Sequence, residues 1–154
     1  MLTIQECREA DCPAVYRLIC EMEERQLPYP AFAEIFRETL RSRAHAVLLA
    51  LDDGQAAGCL HLRMEPQLHH AAPVVEIMEM AVAAGRRGQG VGRRLFRAAC
   101  ARARETGCVQ IEVACNQLRH GAHRFYEAMG MHNFHYKFSL DFTAPPDAPN
   151  RLGR

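Results

Sequence analysis

At 154 residues the chain has room for one domain with a single substantial core. A formal net charge of +1 gives no global field for nucleic acid or an anionic membrane, so any anion-binding role must come from a local cluster of cations. No apolar run approaches the roughly 20 residues a membrane span needs and residues 1–11 do not read as a secretory signal, which makes the cytoplasm the expected compartment.

Residues 2–7 alternate like a short strand. Asp11, followed by Cys12 and Pro13, then reads as a helix start, a capping carboxylate ahead of a proline in the first turn. Val15, Leu18, Ile19 and Met22 give that helix an apolar stripe. Leu27-Pro28-Tyr29-Pro30 breaks it, and a second helix is expected over 31–41. Strands over 45–51 and 56–64 follow, joined by Asp52-Asp53-Gly54, a strong hairpin signal.

After a polar stretch, residues 65–72, the run Val74-Val-Glu-Ile-Met-Glu-Met-Ala-Val82 is apolar on both of its alternating faces. Such a strand belongs inside a sheet covered on each side. A loop over 83–92 leads into a helix reaching Thr106, striped by Val91, Leu95, Ala99 and Ala103 and ended by Gly107. A strand over 108–115, a helix over 119–129 stopped by Gly130 and a last strand over 131–142 complete the series. The expectation is a single α/β domain over 1–142: a mixed central sheet of about six strands flanked by about four helices. The polar, proline-rich residues 143–154 read as a disordered tail. The seven cysteines are odd in number and form no CxxC pair. Most fall within apolar patterns, as small buried hydrophobes do, and not as a disulfide framework or zinc site.

The most informative stretch is Gly85-Arg-Arg-Gly-Gln-Gly-Val-Gly-Arg-Arg94, between the expected central strand and a helix N-terminus. Glycines at 88, 90 and 92 let the backbone approach a ligand without Cβ obstruction. The first turn of the next helix adds unpaired N–H donors and the positive end of its dipole. Arg86, Arg87, Arg93, Arg94 and Arg97 add local positive charge, so a phosphate or diphosphate fits. A nucleotide P-loop would need Gly-Lys-Ser/Thr, which is absent. A dinucleotide fingerprint would need GxGxxG, and Arg93 stands where its third glycine belongs. A plain glycine-rich connector with solvated arginines is the bland alternative.

Arg87-Gly88-Gln89-Gly90-Val91-Gly92 resembles the Arg/Gln-x-x-Gly-x-Gly/Ala motif of the GNAT family of N-acetyltransferases, and the order β-α-α-β-β-β-α-β-α-β over about residues 2–142 resembles its fold. The resemblance implies acetyl-CoA as co-substrate. Coenzyme contacts would come from Met80, Ala81 and Val82 at the strand end, from Arg87, Gly88, Gln89, Gly90, Val91, Gly92 and Arg93 in the loop, and from Asn116 and Tyr126. The backbone amides from about Gly88 to Arg93 would hold the pyrophosphate. Asn116 resembles the residue that contacts the pantetheine arm. Tyr126, in His123-Arg-Phe-Tyr-Glu-Ala-Met-Gly-Met131, resembles the tyrosine of the family's FYxxxGF segment, which donates to the leaving thiolate; Met131 replaces the final phenylalanine.

Acetyl transfer to an amine of pKa ~10.4 starts from roughly one neutral molecule in 10³ at pH 7, a cost of about 4–5 kcal/mol. A nearby carboxylate is the simplest remedy. Glu79 and Glu76, on the strand entering the loop, are the candidate bases, Glu79 preferred. Strict alternation would put them on opposite faces. The family resemblance implies a bulge here, which would change that parity. Either glutamate could instead serve only as an arginine's partner.

A narrower resemblance, to the aminoalkylphosphonate N-acetyltransferases, rests on residues 14–23, 68–70, Glu76 with Glu79, 116–131 and His135-Tyr136-Lys137-Phe138. It implies a small aminoalkylphosphonate substrate, such as 2-aminoethylphosphonate, and a divalent metal ion that supports activity. Candidate partners for the phosphonate are Arg63, His69, His70, Arg119, His120, His135 and Lys137. His69 and His70 could alternatively ligate a metal, although neighbours in an extended segment point apart. Family likeness also implies a homodimer. Other readings stay open: acetylation of an aminoglycoside, polyamine or protein amine, a non-catalytic acyl-CoA sensor, or a nucleotide-binding module.

Overall fold

The computed structural model describes residues 1–145, so the expected tail lies outside the described residues from position 146 onward. The chain divides into two compact units, Met1–Val113 and Ala114–Arg154. In the first, five strands form one sheet in the order β1-β2-β3-β4-β5: Leu2–Glu6, His45–Asp52, Gln55–Gln67, Ala72–Val82 and Ile111–Val113. The first three pairings are antiparallel and β4–β5 is parallel, so the sheet is mixed. Helices α1 (Cys12–Glu23), α2 (Tyr29–Arg41) and α3 (Val91–Glu105) belong to this unit, and α4 (His120–Ala128) to the second.

Both faces of the sheet are covered. Val15, Leu18 and Ile19 of α1 and Phe36 of α2 share one buried cluster with Val47, Leu49, Cys59 and Ala81 of the strands. On the opposite face Gly58 lies under α3, so close that an added Cβ would sit 3.1 Å from both Leu95 Cδ1 and Val91 Cγ1. Val74 and Val75, neighbours on opposite faces of β4, are both buried, as a strand apolar on both sides requires. At the β2–β3 hairpin Asp53 (φ 48°) and Gly54 (φ 79°) are both left-handed, the conformation a two-residue turn needs to follow the right-handed twist of its strands.

Several boundaries differ from expectation for local reasons. Asp11 does not cap α1: its carboxylate accepts from the Arg8 amide (2.8 Å) around a single 3-10 turn, Glu9–Asp11. Helix α2 begins at Tyr29 and keeps Pro30 in its first turn, where a missing N–H costs nothing. Strand β5 is three residues long, because the Cys108 amide closes the end of α3 onto the Ala103 carbonyl and the Val109 amide binds Pro73 O.

In the second unit Gly130 (φ 90°) follows the C-cap of α4, Met129, with the Gly130 and Met131 amides returning to the carbonyls of Glu127 and Tyr126, each at 3.0 Å. The strand expected over 131–142 does not form. Phe134, Tyr136, Phe138, Leu140 and Phe142 alternate as strand residues do, yet all are at least 79% exposed and the segment has no ladder partner. Alternation selects a face; only pairing of backbone N–H and C=O groups makes a strand.

Candidate active site

The glycine-arginine loop is held in shape by the protein's own hydrogen bonds and an ion pair. The Ala83 amide donates to Ala57 O (2.9 Å), the Ala84 amide to Glu21 Oε1 of α1 (2.7 Å) and the Arg86 amide to Ala83 O (2.8 Å). Arg86 is ion-paired with Asp52, and Gln89 Nε2 donates to Gly85 O at 3.0 Å. Gly88 (φ 75°) and Gly90 (φ 82°) are left-handed, and a Cβ on either would meet no protein atom within 4 Å. Gly90 is the N-cap of α3, and its carbonyl accepts from the Arg94 amide (3.1 Å). The amides of Val91, Gly92 and Arg93 open the helix, where α-helical geometry leaves N–H groups without a preceding carbonyl. Arg93, Arg94 and Arg97 are exposed and make no ion pair among the described residues, whereas Arg86 is already neutralised. The loop therefore leads into the open amides of a helix N-terminus with exposed arginines close by in the chain, a setting for a diphosphate.

Strand β4 enters this loop carrying a bulge. His61 of β3 pairs with Glu79 and Leu62 with Ile77, leaving Met78 as the extra residue. Opposite Arg63 stands Glu76. Since His61 and Arg63 share a face of β3, the bulge puts Glu76 and Glu79 on one face although they are three residues apart. Side-chain bonds follow the register. Arg63 donates to Glu76 Oε2 (2.8 Å), and its Nε lies 3.1 Å from Glu65 Oε2, a charge contact without hydrogen-bond alignment. His61 Nδ1 lies 2.7 Å from Glu79 Oε2, and His61 Nε2 lies 2.8 Å from His45 Nδ1. The Glu79 side chain is 41% exposed and that of His61 19%, so the carboxylate is the accessible end of the row. Burial first, then the neighbouring His61 and Arg63, push His45 below the ordinary imidazole range.

The other candidates are dispersed. His69 and His70 sit in the β3–β4 turn with their ring centroids 4.4 Å apart and the planes tilted by 46°, contrary to the divergence expected of an extended segment. Gln67, at the base of that turn, lies six positions beyond His61 along β3, a strand length of roughly 20 Å at ~3.3 Å per residue. They are not brought to Glu79. Arg63 is engaged by two carboxylates. Among the described residues no group of three or more His, Cys, Asp or Glu side chains could hold a metal ion. In the second unit Asn116 Oδ1 accepts from the Leu118 amide (2.8 Å) and its carbonyl lies 2.8 Å from His123 Nε2. Arg119 is the N-cap of α4 and His120 its first residue, while His135 and Lys137 are exposed in the stretch without regular structure. Tyr126 is half-buried, and its burial, with nearby Cys115, pushes the phenol up to about 12.

His45 and His61 were not singled out from sequence. Their signal was His61 alternating with Arg63 between buried Leu60 and Leu62, polar residues on one face of an otherwise apolar strand.

Comparison with known proteins identifies the family and the fold. Residues 10–131 match the acetyltransferase (GNAT) family. The chain is 36% identical over 142 residues to the aminoalkylphosphonate N-acetyltransferase of Salmonella typhimurium, covering 90% of this chain and 92% of that protein. Among solved structures, a transcriptional regulator from Bacillus halodurans superposes with a TM-score of 0.85 at 24% identity, covering 92% of this chain and all of that one. An aminoglycoside acetyltransferase from an uncultured soil metagenomic sample gives 0.76 at 23%, over 91% and 97% of the two chains; both likenesses speak to the fold. No helix of the described residues is long and apolar enough to cross a membrane. On its sequence match and its fold, the chain belongs to the acetyltransferase (GNAT) family, whose co-substrate is acetyl-CoA.

Proposed function

We propose that the chain acetylates the primary amine of a small aminoalkylphosphonate, with Glu79 as the base. The observation that carries this reading is the position of Glu79. It stands half-exposed beside a bulge on the strand that runs into the amide-lined loop, with only one carboxylate oxygen engaged among the described residues. Glu76 is the weaker candidate, because a guanidinium already occupies the carboxylate that would receive the proton. The substrate class rests on the 36% identity with the Salmonella enzyme.

In the reaction the ammonium loses a proton to Glu79 and the freed nitrogen attacks the thioester carbonyl. The C–S bond then breaks, so that amide, thiol and one net proton are formed. The amides from about Gly88 to Arg93 would bind the coenzyme pyrophosphate. Tyr126 is proposed to serve the leaving sulfur as a hydrogen-bond donor. A phenol at about 12 facing a thiol of ordinary pKa ~8.5 makes complete proton transfer uphill by several kcal/mol, at ~1.36 kcal/mol per pK unit. The described residues offer no ligand cluster for a divalent metal, so no step is routed through one. Arg119, His120, His135 and Lys137 are the proposed cations for the phosphonate, to be separated by substitution.

The test is a panel of 2-aminoethylphosphonate, a polyamine and an aminoglycoside with acetyl-CoA, using the native chain and Glu79→Gln. Highest kcat/KM on the phosphonate is expected. Glu79→Gln should lower kcat by about 10²–10⁴-fold with KM for acetyl-CoA unchanged, the range for a lost general base. No turnover of any aminoalkylphosphonate would overturn the substrate class, and an unchanged kcat in Glu79→Gln would overturn the base.

A further inference from the structure

We propose that His61, itself oriented by His45, is a positioning residue that fixes the Glu79 carboxylate for proton abstraction, a role that rests on the reading of Glu79 as the base.

With Glu79 ionised and both imidazoles neutral, the hydrogen-bonding capacities of the three groups leave one arrangement. An ionised carboxylate only accepts, so His61 must present N–H at Nδ1 to Glu79 Oε2, 2.7 Å away. A neutral His61 then carries a lone pair on Nε2, and His45 must supply N–H from Nδ1 across the 2.8 Å separation. Three strands contribute one member each, so the row is set by the register of β2, β3 and β4 and not by a flexible loop. Free rotation of a glutamate would spread its two oxygens over many directions. With Oε2 tied to His61, Oε1 becomes the oxygen turned away from the imidazole and available to an amine.

The surroundings suit this role. Val47, Leu49, Cys59 and Ala81 continue the same face of the sheet as an apolar surface beneath α1 and α2, which bring Val15, Leu18, Ile19 and Phe36 to it. The charged groups bonded on this face beside the row are Arg63, Glu65 and Glu76, which pair with one another. His61 thus has no carboxylate partner other than Glu79 among the described residues. The depression of the His45 titration by burial agrees with an uncharged outer member.

The experiment is steady-state kinetics on His61→Ala, His61→Asn, Glu79→Gln and Glu79→Gln/His61→Ala, with acetyl-CoA affinity measured separately. His61→Ala should lower kcat by about tenfold to a hundredfold, the scale of a misplaced catalytic group, with coenzyme affinity unchanged. His61→Asn, whose amide can donate where Nδ1 did, should recover most of that loss and also serves if the alanine variant folds poorly. In the Glu79→Gln background His61→Ala should have no further effect, because nothing is left to position. An undiminished penalty in that background, or a native rate in His61→Ala, overturns the proposal while leaving the base reading intact. A native rate in Glu79→Gln removes the base reading first and the positioning role with it.

Discussion

Gly90 is one of the residues proposed to bring the backbone up to the coenzyme pyrophosphate. Its φ of 82° is cheap only for glycine, and a Cβ there would meet no protein atom within 4 Å. In the free protein Gly90→Ala therefore brings conformational strain alone, about 1–2 kcal/mol. In the complex the methyl would stand among the amides that face the diphosphate. Calorimetry should show coenzyme A affinity falling more than tenfold while Tm drops by only a few degrees, and an unchanged affinity would move the pyrophosphate elsewhere. Single residues of this kind were legible in the sequence because their reasons are local: a left-handed turn, a helix start, a run of arginines. His61 was not legible. A histidine in an apolar strand has meaning only once its cross-strand neighbours are known, and these lie 16 and 18 positions away.

At the level of elements, the sheet between α1, α2 and α3 tolerates little change in spacing. Gly58 is the tightest point, where an added Cβ would lie 2.8 Å from the Ala81 carbonyl oxygen, a backbone atom of the strand it pairs with. Gly58→Ala should cost about 1–3 kcal/mol by overpacking, read as a lowered urea midpoint. No loss would mean that β3 and β4 can part without penalty.

The strands also carry a pH dependence. His45 has a folded pKa below its unfolded value of ~6.5, from burial first, with His61 and Arg63 adding to it and Glu79 opposing. Below about pH 6.5 the unfolded chain takes up a proton that the fold resists, so this residue destabilises the protein as pH falls and has no effect well above that range. The urea midpoint should fall more between pH 7.5 and 5.5 in the native chain than in His45→Gln. Equal falls would remove His45 as the cause. Four helices and the first four strands were readable from periodicity and turn chemistry. The expected strand over 131–142 shows why a pattern of exposed and apolar residues is not sufficient: its backbone has no hydrogen-bonded neighbour.

For the molecule as a whole, a ligand that binds only the folded chain must raise its stability. Acetyl-CoA at a hundred times its Kd should add ~2.7 kcal/mol of stability, a rise in Tm of roughly 5–10 °C for a chain of this size, and Gly90→Ala should remove about half of it or more at the same ligand concentration. A native protein indifferent to the ligand would contradict the family's use of this loop here. The family was legible before any coordinates because its signature is contiguous in the chain. The proposed catalytic face was not, since it depends on how β2, β3 and β4 are aligned against one another.

That alignment contains one surplus residue. With Met78 removed, the ladder would still set Arg63 against Glu76, Leu62 against Ile77 and His61 against Glu79. A chain shortened by one amino acid would keep every partner and lose only the local bend. Its activity would report what the shape of the strand contributes once the chemistry of the glutamate has been held constant.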